Sequence, residues 1–354
     1  HHGGDRRRVA LGHARHPVGE AGVVGQQGAR QRLPAVPVEA GPGTSIDRRP
    51  GLVKAAMAGA SASDGAGRAI IAALHGAQAS MSSSAASPVV GVIAAAGRAT
   101  RLAPLPCSKE LLPIGVHSEP EALRGRPKAV SQYLLEKMRA AGARRVFVVV
   151  RSGKFDIAEY YGDGSRLGLS IAYLMMNEPW GPPFSAAQAA PFVDDATVLF
   201  GFPDILIQPE DCFVRARDRL HDTGADIVLG LFKGALADGL DLVDTDVHGR
   251  VTGLITKEEA PPRREGDVGY LLAAWAPGFT RFLVDETRRL SEVARSGVRG
   301  SSPDWPMGVI IAAAIRAGLH VDSVFLPDAR FLDVGTPEGL AAAAGFPGVW
   351  SGRG

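Results

Sequence analysis

A few short runs of this chain hold the residues able to handle phosphate. Ala95-Ala96-Gly97-Arg98-Ala99-Thr100-Arg101 ends an apolar segment, Val89–Ala95. Small residues there let backbone N–H groups approach an anion closely, and Arg101 adds a permanent positive charge. Eight positions on, Lys109 stands in Ser108-Lys109-Glu110-Leu111-Leu112-Pro113-Ile114. Arg101 and Lys109 together suit a phosphate clamp. Two carboxylates follow apolar runs much later, Asp204 in Phe200-Gly201-Phe202-Pro203-Asp204 and Asp333 in Phe331-Leu332-Asp333. An Asp at a strand end is a candidate Mg²⁺ ligand, and two that converge can share the ion with phosphate oxygens. Each piece alone has a plainer reading: a strand-to-helix turn, a surface lysine, a capping aspartate. The glycine-poor loop matches neither a Walker loop nor a G-x-G-x-x-G fingerprint.

The elements that must position these residues alternate. Apolar runs at Val89–Ala95, Arg145–Val150, Leu169–Met175, Ala196–Phe200 and Ile227–Phe232 read as strands. Helical spacing marks Ala129–Ala141, Phe155–Tyr161, Phe184–Phe192 and Asp211–Asp222 between them. Later come a hairpin over Asp241–Asp246 and Arg250–Thr256, a strand at Tyr270–Trp275, and helices at Phe279–Ala294 and Gly308–Ala317. Val321–Leu326 and Arg330–Asp333 read as a closing hairpin, and Thr336 with Pro337 as the cap and first turn of a last helix. The expectation is an α/β fold: a three-layer α/β/α, Rossmann-like, mixed but mostly parallel sheet with a substrate-binding insertion in its second half.

Composition narrows the functional classes. The net charge of +2 over 354 residues gives no reason to propose nucleic acid as a partner. No apolar run approaches the roughly 20 residues that span a bilayer, so no membrane partner is expected. Two cysteines, Cys107 and Cys212, form neither a disulfide framework nor a metal motif, and a reducing, cytoplasmic setting is the default. The first 80 residues carry ten Lys/Arg against five Asp/Glu, and 14 of the 44 glycines, with little apolar periodicity. They read as disordered or as sequence outside the functional unit, with a short helix near Arg68–Ala77 and an attractive start at Met81.

Several runs join into one pattern. Ala95–Leu102 is similar to a strand-ending A-G-G-x-G-T-R-L/M, and Ser108–Ile114 to S/P-K-E/Q-L/M-L-P-I. Tyr161-Gly162-Asp163-Gly164-Ser165 is close to G-D-G-S, and Leu332-Asp333-Val334-Gly335-Thr336 supplies the second carboxylate. On these motifs the chain resembles the nucleoside-diphosphate-sugar pyrophosphorylases, that is, sugar-1-phosphate nucleotidyltransferases. The resemblance runs from about Val89 to about Ala343 and is greatest to the glucose-1-phosphate thymidylyltransferase branch, with the uridylyltransferases next. It implies residues 88–346 as the nucleotidyltransferase domain, 1–87 as a leader and 347–354 as a tail. It implies a nucleoside triphosphate (dTTP or UTP) and a sugar 1-phosphate such as glucose 1-phosphate as substrates, Mg²⁺ as cofactor, and a homo-oligomer as one option.

The resemblance also assigns roles. Ala95, Ala96, Gly97, Arg98, Ala99 and Thr100 would bind the nucleotide, with Arg101 and Lys109 as catalytic cations. Asp204 and Asp333 would hold the metal, Gln188 would read the base, and Lys257 would hold the sugar phosphate. Alanine stands at Ala96 and Ala99 where the pattern has glycine; a loop needing positive φ at either costs on the order of 1 kcal/mol. The carboxylate expected before Lys257 is Thr256, and the Asp204 motif is Gly-Phe-Pro-Asp rather than Gly-Asp-Asn. These departures leave a second class open, a homologue that binds nucleotide or sugar phosphate in a regulatory role with impaired catalysis.

Overall fold

The computed structural model describes residues 87–233, 240–259, 266–296 and 304–346. The leader up to residue 86, with the helix near Arg68–Ala77 and the start at Met81, lies outside the described residues. In chain order the strands are β1 Val89–Ala94, β2 Pro113–Val116, β3 Pro127–Ala129, β4 Arg145–Val150, β5 Ser170–Met175, β6 Thr197–Gly201 and β7 Ile205–Gln208. Then follow β8 Ile227–Lys233, β9 Leu242–Thr245, β10 Val251–Ile255, β11 Val268–Trp275, β12 Val321–Phe325 and β13 Arg330–Asp333. The helices are α1 Val130–Ala140, α2 Phe155–Tyr161, α3 Pro182–Ala189, α4 Cys212–Thr223, α5 Pro277–Arg295, α6 Met307–Arg316 and α7 Pro337–Ala342.

Nine described strands share one sheet. β5, β4, β1 and β6 run parallel, β11 enters antiparallel between β6 and β8, and β12 pairs parallel with the far side of β8. The expected mixed, mostly parallel sheet is therefore present. Strands β1, β6, β8 and β11 are apolar and buried along nearly their whole length because both faces are covered there. In β1, Ile93 joins a cluster with Leu134, Met138, Phe213 and Leu220 on the α1, α2 and α4 side. Val90 and Val92 join the opposite cluster with Ala186, Phe279, Leu283 and Ile310 from α3, α5 and α6. The period-2 alternation of β1 thus feeds two cores, one on each face. Gly91 sits in mid-strand because α1 crosses closely; a Cβ there would lie 2.8 Å from Met138 Sδ.

The insertion is the β9–β10 hairpin, joined to the sheet where Leu242 pairs with Gly269 of β11. Its turn is closed by Asp246 Oδ1, which accepts from His248 N at 2.8 Å and Arg250 N at 3.0 Å.

The expected closing hairpin is a correction. β12 does not pair with β13. It adds to the edge of β8 in five parallel register pairs, while β13 pairs antiparallel with β7. β12 can fill the open edge of β8 because Val321 and Val324 face the two cores already covering the sheet. β7, β2 and β3 are too short to stand out as apolar runs. β2 and β7 enter a third cluster of Leu112, Ile114, Val130, Tyr133, Leu206 and Val334, onto which Leu102 and Leu105 of the first loop pack, while β3 pairs with β2.

Candidate active site

The β7–β13 ladder does the main positioning. It sets Asp333 opposite Ile205, and Val334 N donates to Asp204 O at 2.9 Å, so the two aspartates leave the ladder side by side. Gly335 lies between them. A Cβ on Gly335 would sit 2.5 Å from Asp204 Oδ2, 2.8 Å from Asp333 Oδ1 and 3.3 Å from an Arg101 guanidinium nitrogen. Gly335 N also donates to Asp333 Oδ1 at 2.8 Å, fixing that carboxylate. Thr336 Oγ1 accepts from Gly339 N at 3.0 Å and starts α7 directly behind, as its sequence suggests.

Each carboxylate carries a cation from the segment after β1. Lys109 Nζ donates to Asp204 Oδ2 at 2.5 Å, with the Asp204 side chain nearly buried. Arg101 lies 3.2 Å from Asp333 Oδ2, with a more exposed guanidinium. Burial pulls the Lys109 ammonium down, but the Asp204 carboxylate, with Glu110 and Asp333 behind it, reverses this and holds it above the usual lysine range. Lys109 is thus a firmly charged donor at neutral pH.

The second half of the loop is open to solvent, with Gly97, Arg98 and Thr100 exposed. Ala95 N still donates to Val149 O at 2.9 Å; among the described residues the N–H groups of Gly97, Arg98, Ala99 and Thr100 meet no protein acceptor. Ala99 has φ +55°, the left-handed region, and its carbonyl accepts from Leu102 N at 3.0 Å and Ala103 N at 3.1 Å. The turn toward Arg101 therefore starts at the residue the sequence flags, and Ala96 is not in that region. Gly97 lies near Lys109; a Cβ there would be 4.0 Å from Lys109 Nζ, an ordinary contact. Beside the loop lies a cavity of about 500 Å³, lined in part by Arg98, Lys109, Arg151 and Lys154.

Arg101, Lys109, Asp204 and Asp333, distant in sequence, are thus brought into one cluster with the loop 95–100. Gln188 and Lys257 are not in contact with it among the described residues. Gln188, on α3, donates from Nε2 to Met175 O at the end of β5, 3.3 Å away. Lys257 is exposed beyond β10, its N–H donating to the buried Asp241 at 2.9 Å. Five further residues, Gly335, Ser108, Glu110, Lys154 and Asp156, received no role from sequence reading. Gly335 has no signal beyond its place after Asp333. Ser108 and Glu110 flank Lys109, and their partners Asp156 and Lys154 lie in Gly153-Lys154-Phe155-Asp156. The complementary spacing of Ser-Lys-Glu and Lys-Phe-Asp was the available clue.

No described group of three or more His, Cys, Asp or Glu side chains converges on one point. Two carboxylate oxygens flanking the space at Gly335 are hard oxygen donors, which suits a cation such as Mg²⁺ that takes its other ligands from phosphate and water.

Residues 90–346 match the family model described as nucleotidyl transferase. The chain belongs to this nucleotidyl transferase family. A low-salt glycan biosynthesis nucleotidyltransferase of Haloferax volcanii is 27% identical over 261 residues, covering 72% of this chain and 64% of the relative. The matched part thus spans less than two thirds of that relative's length. A glucose-1-phosphate thymidylyltransferase of Mycolicibacterium smegmatis is 24% identical over 259 residues, 72% of this chain and 81% of the relative. A mannose-1-phosphate guanylyltransferase of Mycobacterium tuberculosis is 27% identical over 208 residues, 58% of this chain and 53% of the relative. Among solved structures, a glucose-1-phosphate thymidylyltransferase from Bacillus anthracis, in complex with a sucrose, aligns with TM-score 0.59 at 14% identity, covering 73% of this chain and 94% of that one. At that identity the likeness speaks for the fold. No described helix is long and apolar enough to cross a membrane.

Proposed function

We propose that this nucleotidyl transferase joins a nucleoside monophosphate unit to a sugar 1-phosphate, releasing pyrophosphate. The observation that carries the reading is the carboxylate pair across Gly335, each member holding a cation from the loop after β1. An oxygen of the sugar phosphate attacks the α-phosphorus of the triphosphate. A new P–O bond forms, and the bond from the α-phosphorus to the bridging oxygen breaks, its electron pair leaving with pyrophosphate. Catalysis then rests on position and charge. The N–H groups of residues 97–100 would cradle the triphosphate, Lys109 would meet the α-phosphate, and Arg101 the charge growing on pyrophosphate. Mg²⁺ held by Asp204 and Asp333 would offset charge on the triphosphate. Gln188 would read the base and Lys257 would hold the sugar phosphate. dTTP or UTP with glucose 1-phosphate is the first pairing to try; the relatives named above include thymidylyl- and guanylyltransferases.

The test is a matrix of sugar 1-phosphates against dTTP, UTP, GTP and ATP with Mg²⁺, read as pyrophosphate release. No release from any pair refutes catalysis. Thermal stabilisation by nucleotide without release would instead favour a binding homologue, the reading motivated by the strained Ala99. Asp204→Asn should cost several kcal/mol of transition-state stabilisation, a fall of about 100-fold or more. Unchanged turnover in the folded variant removes Asp204 from the metal role.

A further inference from the structure

The turn that carries Lys109 is too short to hold itself. It is a single 3-10 turn, Lys109–Leu111, without a side-chain cap at Ser108. So short a turn makes too few internal bonds to fix a side chain. Its support comes from the segment that opens α2. Asp156 accepts from Ser108 N and from Ser108 Oγ, each at 2.7 Å. Lys154 Nζ donates to both Glu110 carboxylate oxygens, at 2.6 and 2.7 Å. The residues on either side of Lys109 are therefore tied to the residues on either side of Phe155. Ser131 Oγ of α1 adds a bond to Glu110 O at 2.6 Å.

The ion pair is deeply placed, Glu110 at 1% and Lys154 at 3% exposure. Burial pushes the Glu110 carboxyl up and the Lys154 ammonium down, each opposed by its partner. Such a pair adds little stability over apolar residues of the same size, and its best attested use is to specify one arrangement. Here that arrangement leaves Lys109 turned to Asp204 at 2.5 Å.

We propose that Glu110–Lys154 and Ser108–Asp156 are positioning pairs that hold Lys109 for the transfer step. The inference rests on the nucleotidyl-transfer reading above. The pairs act through Lys109, so their loss should appear in kcat rather than in substrate affinity. In Lys154→Met, kcat should fall about 10- to 100-fold, as displacement near 1 Å does, with both KM values near wild type. The double variant Glu110→Gln/Lys154→Gln replaces the ion pair by a neutral hydrogen-bonded pair and should recover most of that loss. Ser108→Ala, a milder change if Lys154→Met fails to fold, should lower kcat less and leave KM alone. Wild-type kcat in Lys154→Met, or in Ser108→Ala where Lys154→Met does not fold, overturns the proposal. So does a loss confined to the KM for the triphosphate that the double variant does not recover, which would make Lys154 a phosphate ligand. A wild type that releases no pyrophosphate overturns the transfer reading alone. The clamp is then judged by the acylation rate of Lys109, followed by mass spectrometry. That rate should rise in Lys154→Met and return in the double variant, and an unchanged rate overturns the clamp.

Discussion

Gly335→Ala isolates the carboxylate pair with one methyl group. Gly335 is not in the left-handed region, so alanine meets no backbone penalty there and the effect is one of space. The new Cβ would lie 2.5 Å from Asp204 Oδ2 and 2.8 Å from Asp333 Oδ1, where ordinary contact begins near 3.4 Å. The two oxygens must therefore retreat by about 0.9 and 0.6 Å, or the β13–α7 turn must shift by a similar amount. Asp333 is held by Gly335 N at 2.8 Å and Asp204 by Lys109 at 2.5 Å, so neither can move without lengthening a bond that positions it. Misplacement by about 1 Å near the chemistry costs about 100-fold, and the expected fall in kcat is of that order. The Mg²⁺ concentration needed for half-maximal rate should rise as well, because both proposed ligands are displaced together. Pyrophosphate release measured over a Mg²⁺ titration reads both effects, and a melting curve checks that the fold is intact. A folded Gly335→Ala protein with wild-type rate and wild-type Mg²⁺ dependence would refute the placement of the metal between Asp204 and Asp333.

Two other outcomes follow from the same geometry. Ala99 at φ +55° carries roughly 1–2 kcal/mol of left-handed strain, while glycine there raises unfolded-state entropy at a cost of about 0.4–1 kcal/mol. Ala99→Gly should therefore stabilise the protein by about 0 to 1.6 kcal/mol in denaturant titration, and a clear destabilisation would contradict the strained turn. The two thiols should differ. Burial pushes Cys212 up to about 12, and burial followed by the Asp156 and Glu110 carboxylates raises Cys107, which is only partly buried. In native protein at pH 8 a thiol reagent should modify Cys107 slowly and Cys212 only on unfolding; equal rates would mean that the start of α4 opens readily.

The layered sheet was legible because burial on both faces writes itself into composition. Arg145–Val150 and Phe155–Tyr161 are where the apolar runs put them, since each strand and helix is set by its own side chains. The failures share a different cause. β12 and β13 are adjacent in sequence yet pair with β8 and β7, because strand partners are chosen by which edges the rest of the fold leaves open. The same non-local choice builds the cluster, for β13 delivers Asp333 to Asp204 only by refusing the hairpin. Resemblance could name Lys109 and both aspartates, being carried by local motifs. It could not reveal that Gly335 keeps space between the carboxylates, or that Lys154 and Asp156 brace Lys109 from a different βα turn. Motifs mark the groups that would meet phosphate; the residues that aim them are found where separate motifs touch. A departure such as Thr256 before Lys257 should accordingly be judged by its neighbourhood, where the buried Asp241 already accepts the Lys257 N–H.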